Sequence, residues 1–103
     1  MRLGMDRRDV FILTKPPQSD RTKLCLGLME RSETAVLYLA GDGVYSLLDP
    51  AFLETLPQVR ILACREDLEA RGVPPGARAA VLESFYELLV EEIASEGSRI
   101  YAF

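Results

Sequence analysis

The chain has no histidine. That absence removes Ser-His-Asp and Cys-His catalysis, together with every zinc site that needs an imidazole. There are only two cysteines, Cys25 and Cys64, 39 positions apart. Without a CxxC pair, neither a thioredoxin-type dithiol nor a four-cysteine metal site can form. Neither GxGxxG nor the Walker pattern with its lysine occurs, so Gly41-Asp42-Gly43 reads as a turn, not a phosphate cradle. No cofactor and no metal are implied. No apolar run approaches the ~20 residues of a membrane span; the longest, residues 35–40, has six. Arg2, Arg7 and Arg8 precede an apolar stretch, residues 10–13, that is too short for the core of a signal peptide. The expectation is a cytoplasmic protein, outside the membrane, with both thiols reduced.

What is present suits one compact domain, expected over residues 1–103 with residues 1–8 as a flexible N-terminal extension. Hydrophobic residues make up 49% and charged residues 27% of the 103, too apolar a mixture for intrinsic disorder. Twelve Lys and Arg against sixteen Asp and Glu leave a net charge of −4, which argues against direct nucleic-acid binding. The charge is uneven. Arg2, Arg7, Arg8, Lys15, Arg21 and Lys23 make the start basic, whereas Glu83, Glu87, Glu91, Glu92 and Glu96 make the end acidic. Such asymmetry can orient a protein partner, and two solvated faces explain it equally well.

Val10-Phe11-Ile12-Leu13 reads as a buried strand stopped by Pro16 and Pro17. Ser19 or Asp20 caps a helix to about Glu30, with Leu24, Cys25, Leu28 and Met29 on its buried face. Residues 34–40 form a second strand and residues 59–64 a third, separated by short helical turns broken at Asp49-Pro50. A short helix over residues 65–71 closes at Gly72. Ser84 and Glu87 form a capping box before a last helix, whose broad apolar stripe combines Phe85, Leu89 and Ile93 with Tyr86, Val90 and Ala94. On this reading Glu87, Glu91, Glu92 and Glu96 lie outside the stripe. Residues 79–83 and 98–103 supply two more short strands. Strands alternating with helices predict an α/β fold: a three-layer α/β/α sandwich around a mostly parallel sheet of about five strands.

In such sheets, reactive groups gather beyond the C-terminal strand ends, and Cys64 falls there. Its functional reading is a nucleophilic thiolate, favoured by the helix start that follows and by Arg65. Its plainer reading is a small apolar residue closing a buried strand. Cys25, on an apolar helix face, has less to recommend it. Glu66, Asp67 and Glu69 read as a solvated helix face with no catalytic role.

With this pattern in place, the chain resembles the DsrE/DsrF/DsrH sulfur-relay family, which includes the TusB, TusC and TusD proteins, and is most similar to the DsrH (TusB) branch. The resemblance runs over about residues 10–103. It is carried by the segment from Pro16 through Cys25 and Leu26, by Asp42-Gly43-Val44-Tyr45 ("DGxY"), and by Glu66-Asp67-Leu68-Glu69-Ala70-Arg71-Gly72-Val73 ("EDLxARG"). It implies two sulfur-handling positions. Cys25 matches a cysteine that DsrH-type members often carry in the first helix. Cys64 matches the sulfur-accepting cysteine of DsrE- and TusD-type members, at the end of the third strand and eight residues before the Gly of an Arg-Gly pair. TusB-like chains usually lack a cysteine at the second position, so this chain combines features of two branches.

Two functions follow from the resemblance. The first is a persulfide carrier using Cys64 or Cys25, serving tRNA wobble-uridine thiolation or sulfur oxidation and exchanging sulfur with donor and acceptor proteins. The second is a non-catalytic subunit of a hetero-oligomer with DsrE/DsrF-like or TusC/TusD-like partners. An accessible, activated Cys64 favours the carrier. Buried thiols beside an exposed apolar patch favour the subunit. Assembly with itself or with other chains is expected either way.

Overall fold

The computed structural model describes residues 8–56 and 58–103. The expected N-terminal extension lies outside the described residues except for Arg8, which begins the first strand. Five strands, β1 (Arg8–Leu13), β2 (Ala35–Leu39), β3 (Arg60–Cys64), β4 (Ala79–Leu82) and β5 (Ser98–Ala102), form one sheet in the order β4-β3-β2-β1-β5. Every pairing is parallel. Four α-helices connect them: α1 (Asp20–Glu30), α2 (Pro50–Thr55), α3 (Arg65–Arg71) and α4 (Phe85–Ala94). A 3-10 helix, Gly41–Leu48, precedes α2.

The topology decides which helix covers which face. From β1 to β4 each crossover steps the same way across the sheet, whereas the connection through α4 runs back past β1 to place β5 at the far edge. Right-handed crossovers that step in opposite directions lie on opposite faces. The helices before β4 therefore share one face, and among the described residues α4 has the other to itself. The side chains agree: Phe11, Leu37, Leu39 and Ile61 pack with Cys25 and Met29 of α1, Phe52 of α2 and Leu68 of α3. On the opposite face Val10, Val36, Tyr38, Leu62 and Cys64 pack with Phe85 and Leu89 of α4. The predicted α/β/α sandwich is present, with its second outer layer reduced to one helix.

Local chemistry sets the element ends. The Ser19 hydroxyl accepts from the Arg21 amide to cap α1, and the buried Thr22 hydroxyl donates to the Pro16 carbonyl at 2.7 Å, tying the helix to the turn before it. Pro50 occupies the first turn of α2, where a missing N–H costs nothing, behind the Asp49 cap. Gly72 ends α3 in the left-handed conformation (φ 65°), and Val73 donates back to the Leu68 carbonyl while both side chains are buried.

Several sequence expectations need correction. Leu24 is exposed, because the buried face of α1 is phased on Thr22, Cys25 and Met29. The Ser84 capping box does not form: the Ser84 backbone (φ −99°, ψ 41°) is not the extended cap conformation that aims a side chain at the helix amides, and its hydroxyl makes no cap bond. The broad apolar stripe of α4 splits. Phe85 and Leu89 are buried, each contributing roughly 1.5–3 kcal/mol, while Tyr86, Val90 and Ile93 are exposed. One helix lying on a sheet can bury only one narrow strip. Glu92, expected outside, lies on that buried side, where it accepts from the Tyr38 hydroxyl and pairs with Arg8 at 3.0 Å. No helix among the described residues is long and apolar enough to cross a membrane.

Candidate functional site

Cys64 is the last residue of β3 and the cap of α3. Its neighbour in the sheet, Leu82, is the last residue of β4. The chain leaves β3 towards one face and β4 towards the other, so Cys64 stands where adjacent strand exits diverge, the place at which open α/β sheets form crevices. It belongs to the packing cluster beneath α4 and is only 3% exposed.

Beside it lies a polar group built from three segments. Asp67, in the first turn of α3, accepts from the Gly41 amide at 2.8 Å and from the Tyr86 hydroxyl at 3.1 Å, both on Oδ2. The Cys64 thiol stands against both the Asp67 carboxylate and the Tyr86 hydroxyl. Burial pushes the Asp67 carboxyl upward. The Gly41, Tyr86 and Cys64 donors and the Arg71 charge outweigh that push, leaving the group below the usual aspartate range. The Tyr86 hydroxyl is pushed up to about 12, by desolvation first and then by its bond to Asp67.

Arg65, expected to assist a thiolate, turns elsewhere: its guanidinium reaches Glu83 at 3.4 Å and Glu69 at 3.8 Å. The charged group near the thiol is thus the Asp67 carboxylate, a hydrogen-bond acceptor held in its ionised form. Asp67 is not the solvated helix acid expected from the sequence. It is the hub of the site, and Tyr86, expected in the apolar stripe, is its latch. The signal available in the sequence was spacing: an acid three residues after a strand-terminal cysteine falls in the first helical turn, facing back to the strand end.

Cys25 is placed quite differently. It lies on the sheet side of α1, 1% exposed, among Phe11, Leu37 and Met29, and its thiol is pushed up to about 12 by burial alone. The sheet separates it from Cys64, since the two belong to opposite packing clusters. The two candidate thiols are not brought together. Among the described residues no three potential ligands converge to hold a metal ion. A hollow of about 720 Å³ lined by Arg8, Tyr38, Arg60 and Glu92 opens at the N-terminal ends of the strands, opposite Cys64.

The two motifs noted in the sequence meet at this site. Gly41 and Asp42, after β2, are held by Asp67 and Arg71 of α3. Gly43 is pressed so closely on Leu13 at the end of β1 that a Cβ there would run into the Leu13 carbonyl.

A parallel α/β sheet carrying a cysteine at a diverging strand end, braced by paired loop and helix motifs, defines a small thiol-bearing α/β protein. The family model described as "DsrH like protein" matches residues 14–96, and the chain belongs to this DsrH-like family. No curated protein matches it.

Proposed function

We propose that this chain is a sulfur-relay protein of the cytoplasm in which Cys64 carries sulfane sulfur. The observation that supports the reading is the position of Cys64 at the divergent end of β3, beside the polar group that Asp67 and Tyr86 form. The step requires no histidine, metal or cofactor. The Cys64 sulfur, its proton released to solvent, attacks the outer sulfur of a donor persulfide. A new S–S bond forms at Cys64, the donor S–S bond breaks, and its electron pair leaves on the donor thiolate. Passing sulfur to an acceptor cysteine repeats the exchange with roles reversed, so no net oxidation occurs. The acceptor belongs to tRNA wobble-uridine thiolation or to sulfur oxidation, and the chain itself has no charge surplus with which to hold tRNA.

The test is intact-mass spectrometry of the reduced protein after exposure to a persulfide donor, with Cys64→Ser and Cys25→Ser alongside. Addition of one sulfur that persists in Cys25→Ser and disappears in Cys64→Ser is the expected result. No uptake where a competent acceptor loads fully would sink the carrier reading.

A second reading, a non-catalytic subunit, is favoured by a specific observation: both thiols are buried, and Tyr86, Val90 and Ile93 form an exposed apolar line on α4 at helical spacing. Ile100, in register with Val10, adds an exposed apolar side chain on the same face of the sheet. Glu87 and Glu91 flank the line. A symmetric pair of copies would set these acids against one another, whereas a different chain with a basic rim would complement them. The partners on this reading are DsrE/DsrF-like or TusC/TusD-like subunits. Co-purification with such subunits, lost on Val90→Glu with Ile93→Glu, is the outcome expected. Both readings share the docking face and differ only in what Cys64 does.

A further inference from the structure

Cys64 and its surroundings pose a physical problem that Cys25 does not. Cys25 is sealed between its own helix α1 and the sheet, whereas Cys64 stands at a strand end where the chain parts to opposite faces, and yet it is 3% exposed. Tyr86 is the side chain that bears on the difference. It projects from the first turn of α4 and is half exposed, with its hydroxyl on Asp67 at 3.1 Å, against the Cys64 thiol. Its ring meets Phe85 edge-on, with centroids 5.1 Å apart. Phe85 is fully buried and anchors α4 to the sheet, so Tyr86 is the movable member of the pair. Tyr86 also begins the exposed apolar line that Val90 and Ile93 continue. One side chain therefore belongs both to the polar group beside the thiol and to the exposed apolar line of α4.

We propose that Tyr86 is the gate of Cys64: in the isolated chain its hydroxyl is latched to Asp67 beside the thiol, and a different chain with a basic rim, seated on the α4 line against Glu87 and Glu91, draws the side chain away. The proposal rests on the sulfur-relay reading for its biological meaning. Its physical content, access to a thiol, is measured without any sulfur donor. Coupling access to docking would keep the persulfide from reacting with small thiols in solution between transfers, because the sulfur would be uncovered only where the next protein is already in place.

The two thiols allow a test with an internal control. In a Cys25→Ala chain, Cys64 is the sole thiol; in a Cys64→Ala chain, Cys25 is. Both are alkylated with iodoacetamide under native conditions, with and without Tyr86→Ala. In the Cys64-only chain, Tyr86→Ala is expected to raise the alkylation rate at least about tenfold, the factor corresponding to loss of one hydrogen bond to a charged acceptor. Tyr86→Phe, which loses the same hydrogen bond and keeps the ring, gives a rise of up to about that factor. In the Cys25-only chain, Tyr86→Ala leaves the rate unchanged. A Cys64 rate that moves less than about twofold, against that expected energy, overturns the gate. So does an equal rise at both thiols, which reports general loosening. Gated alkylation without sulfur uptake would leave the gate standing and remove the carrier reading.

Discussion

The Nε of Arg71 lies 3.0 Å from Oδ1 of Asp42, joining the end of α3 to the loop that follows β2. The same arginine reaches Asp67 one helical turn earlier at 3.6 Å, and Asp67 in turn holds the Gly41 amide. The two short motifs "DGxY" and "EDLxARG" are thus one construction. The acid of the first is clamped by the arginine of the second, and the acid of the second is satisfied by the backbone just before the first. Their joint result is a fixed Asp67 beside Cys64.

Because these groups share partners, their effects on stability should not add. Asp42→Ala and Arg71→Ala are each expected to destabilise the chain, and the double variant to be less destabilised than the sum of the two. A double-mutant cycle by urea unfolding measures this directly, and strict additivity would contradict the brace.

Two glycines should respond to alanine with opposite signs. Gly43 lies against the Leu13 backbone with no room for a Cβ, and backbone cannot yield as a side chain can, so Gly43→Ala should cost at least about 2–3 kcal/mol. Gly27 sits within α1 with nothing within 4 Å of a Cβ. Gly27→Ala should stabilise by about 0.5–1 kcal/mol through helix propensity and a less free unfolded chain. Urea midpoints of the two variants on either side of the parent are the expected result.

The strands and helices were legible because their signals are local: alternating apolar runs, Pro16 and Pro17 as a stop, Ser19 as a cap, and Gly72 in the left-handed position. The placement of Cys64 followed from the apolar run over residues 59–64 that it ends. What sequence could not reveal depended on how much of a helix its neighbours cover. In the sequence the apolar positions of α4 make one broad stripe, since nothing local says how little of it the sheet covers. The true contact strip was Phe85, Leu89 and Glu92, leaving Tyr86, Val90 and Ile93 outside. Asp67 was misread for a related reason: its donors, Gly41 and Tyr86, are 26 and 19 positions away, and first-turn acids are commonly solvated.

Asp67 gives a pH dependence at the acid end. Its folded value lies below that of a free aspartate, 3.8, so the native state binds this proton less readily than the unfolded chain. The resulting stability is present above the unfolded value and is lost as pH falls through the folded one. Asp67→Asn lacks the titration. The parent should be the more stable at pH 6, and the gap should narrow below pH 3.8. A constant gap from pH 6 to pH 2 in urea unfolding would show that the Asp67 charge contributes nothing.

At the alkaline end the sign reverses and the residue is Cys25. Its thiol rises from 9.0 to about 12 on folding because the ionised form would lie in the apolar space between α1 and the sheet. An unfolded chain releases this proton near pH 9, while the native state keeps it until about 12, so stability is present below pH 9 and is lost as pH rises through this window. The loss approaches about 1.4 kcal/mol per pH unit for a single group held fully protonated. Tyr86 behaves alike but enters only from pH 10, which leaves the interval from pH 9 to pH 10 to distinguish the two. Cys25→Ala should begin less stable, since it loses a buried sulfur, yet decline less steeply across that interval. Urea unfolding in steps of pH resolves both. Parallel curves for the parent and Cys25→Ala would mean that the core beneath α1 admits water and charge readily, and would return Cys25 to consideration as a working thiol.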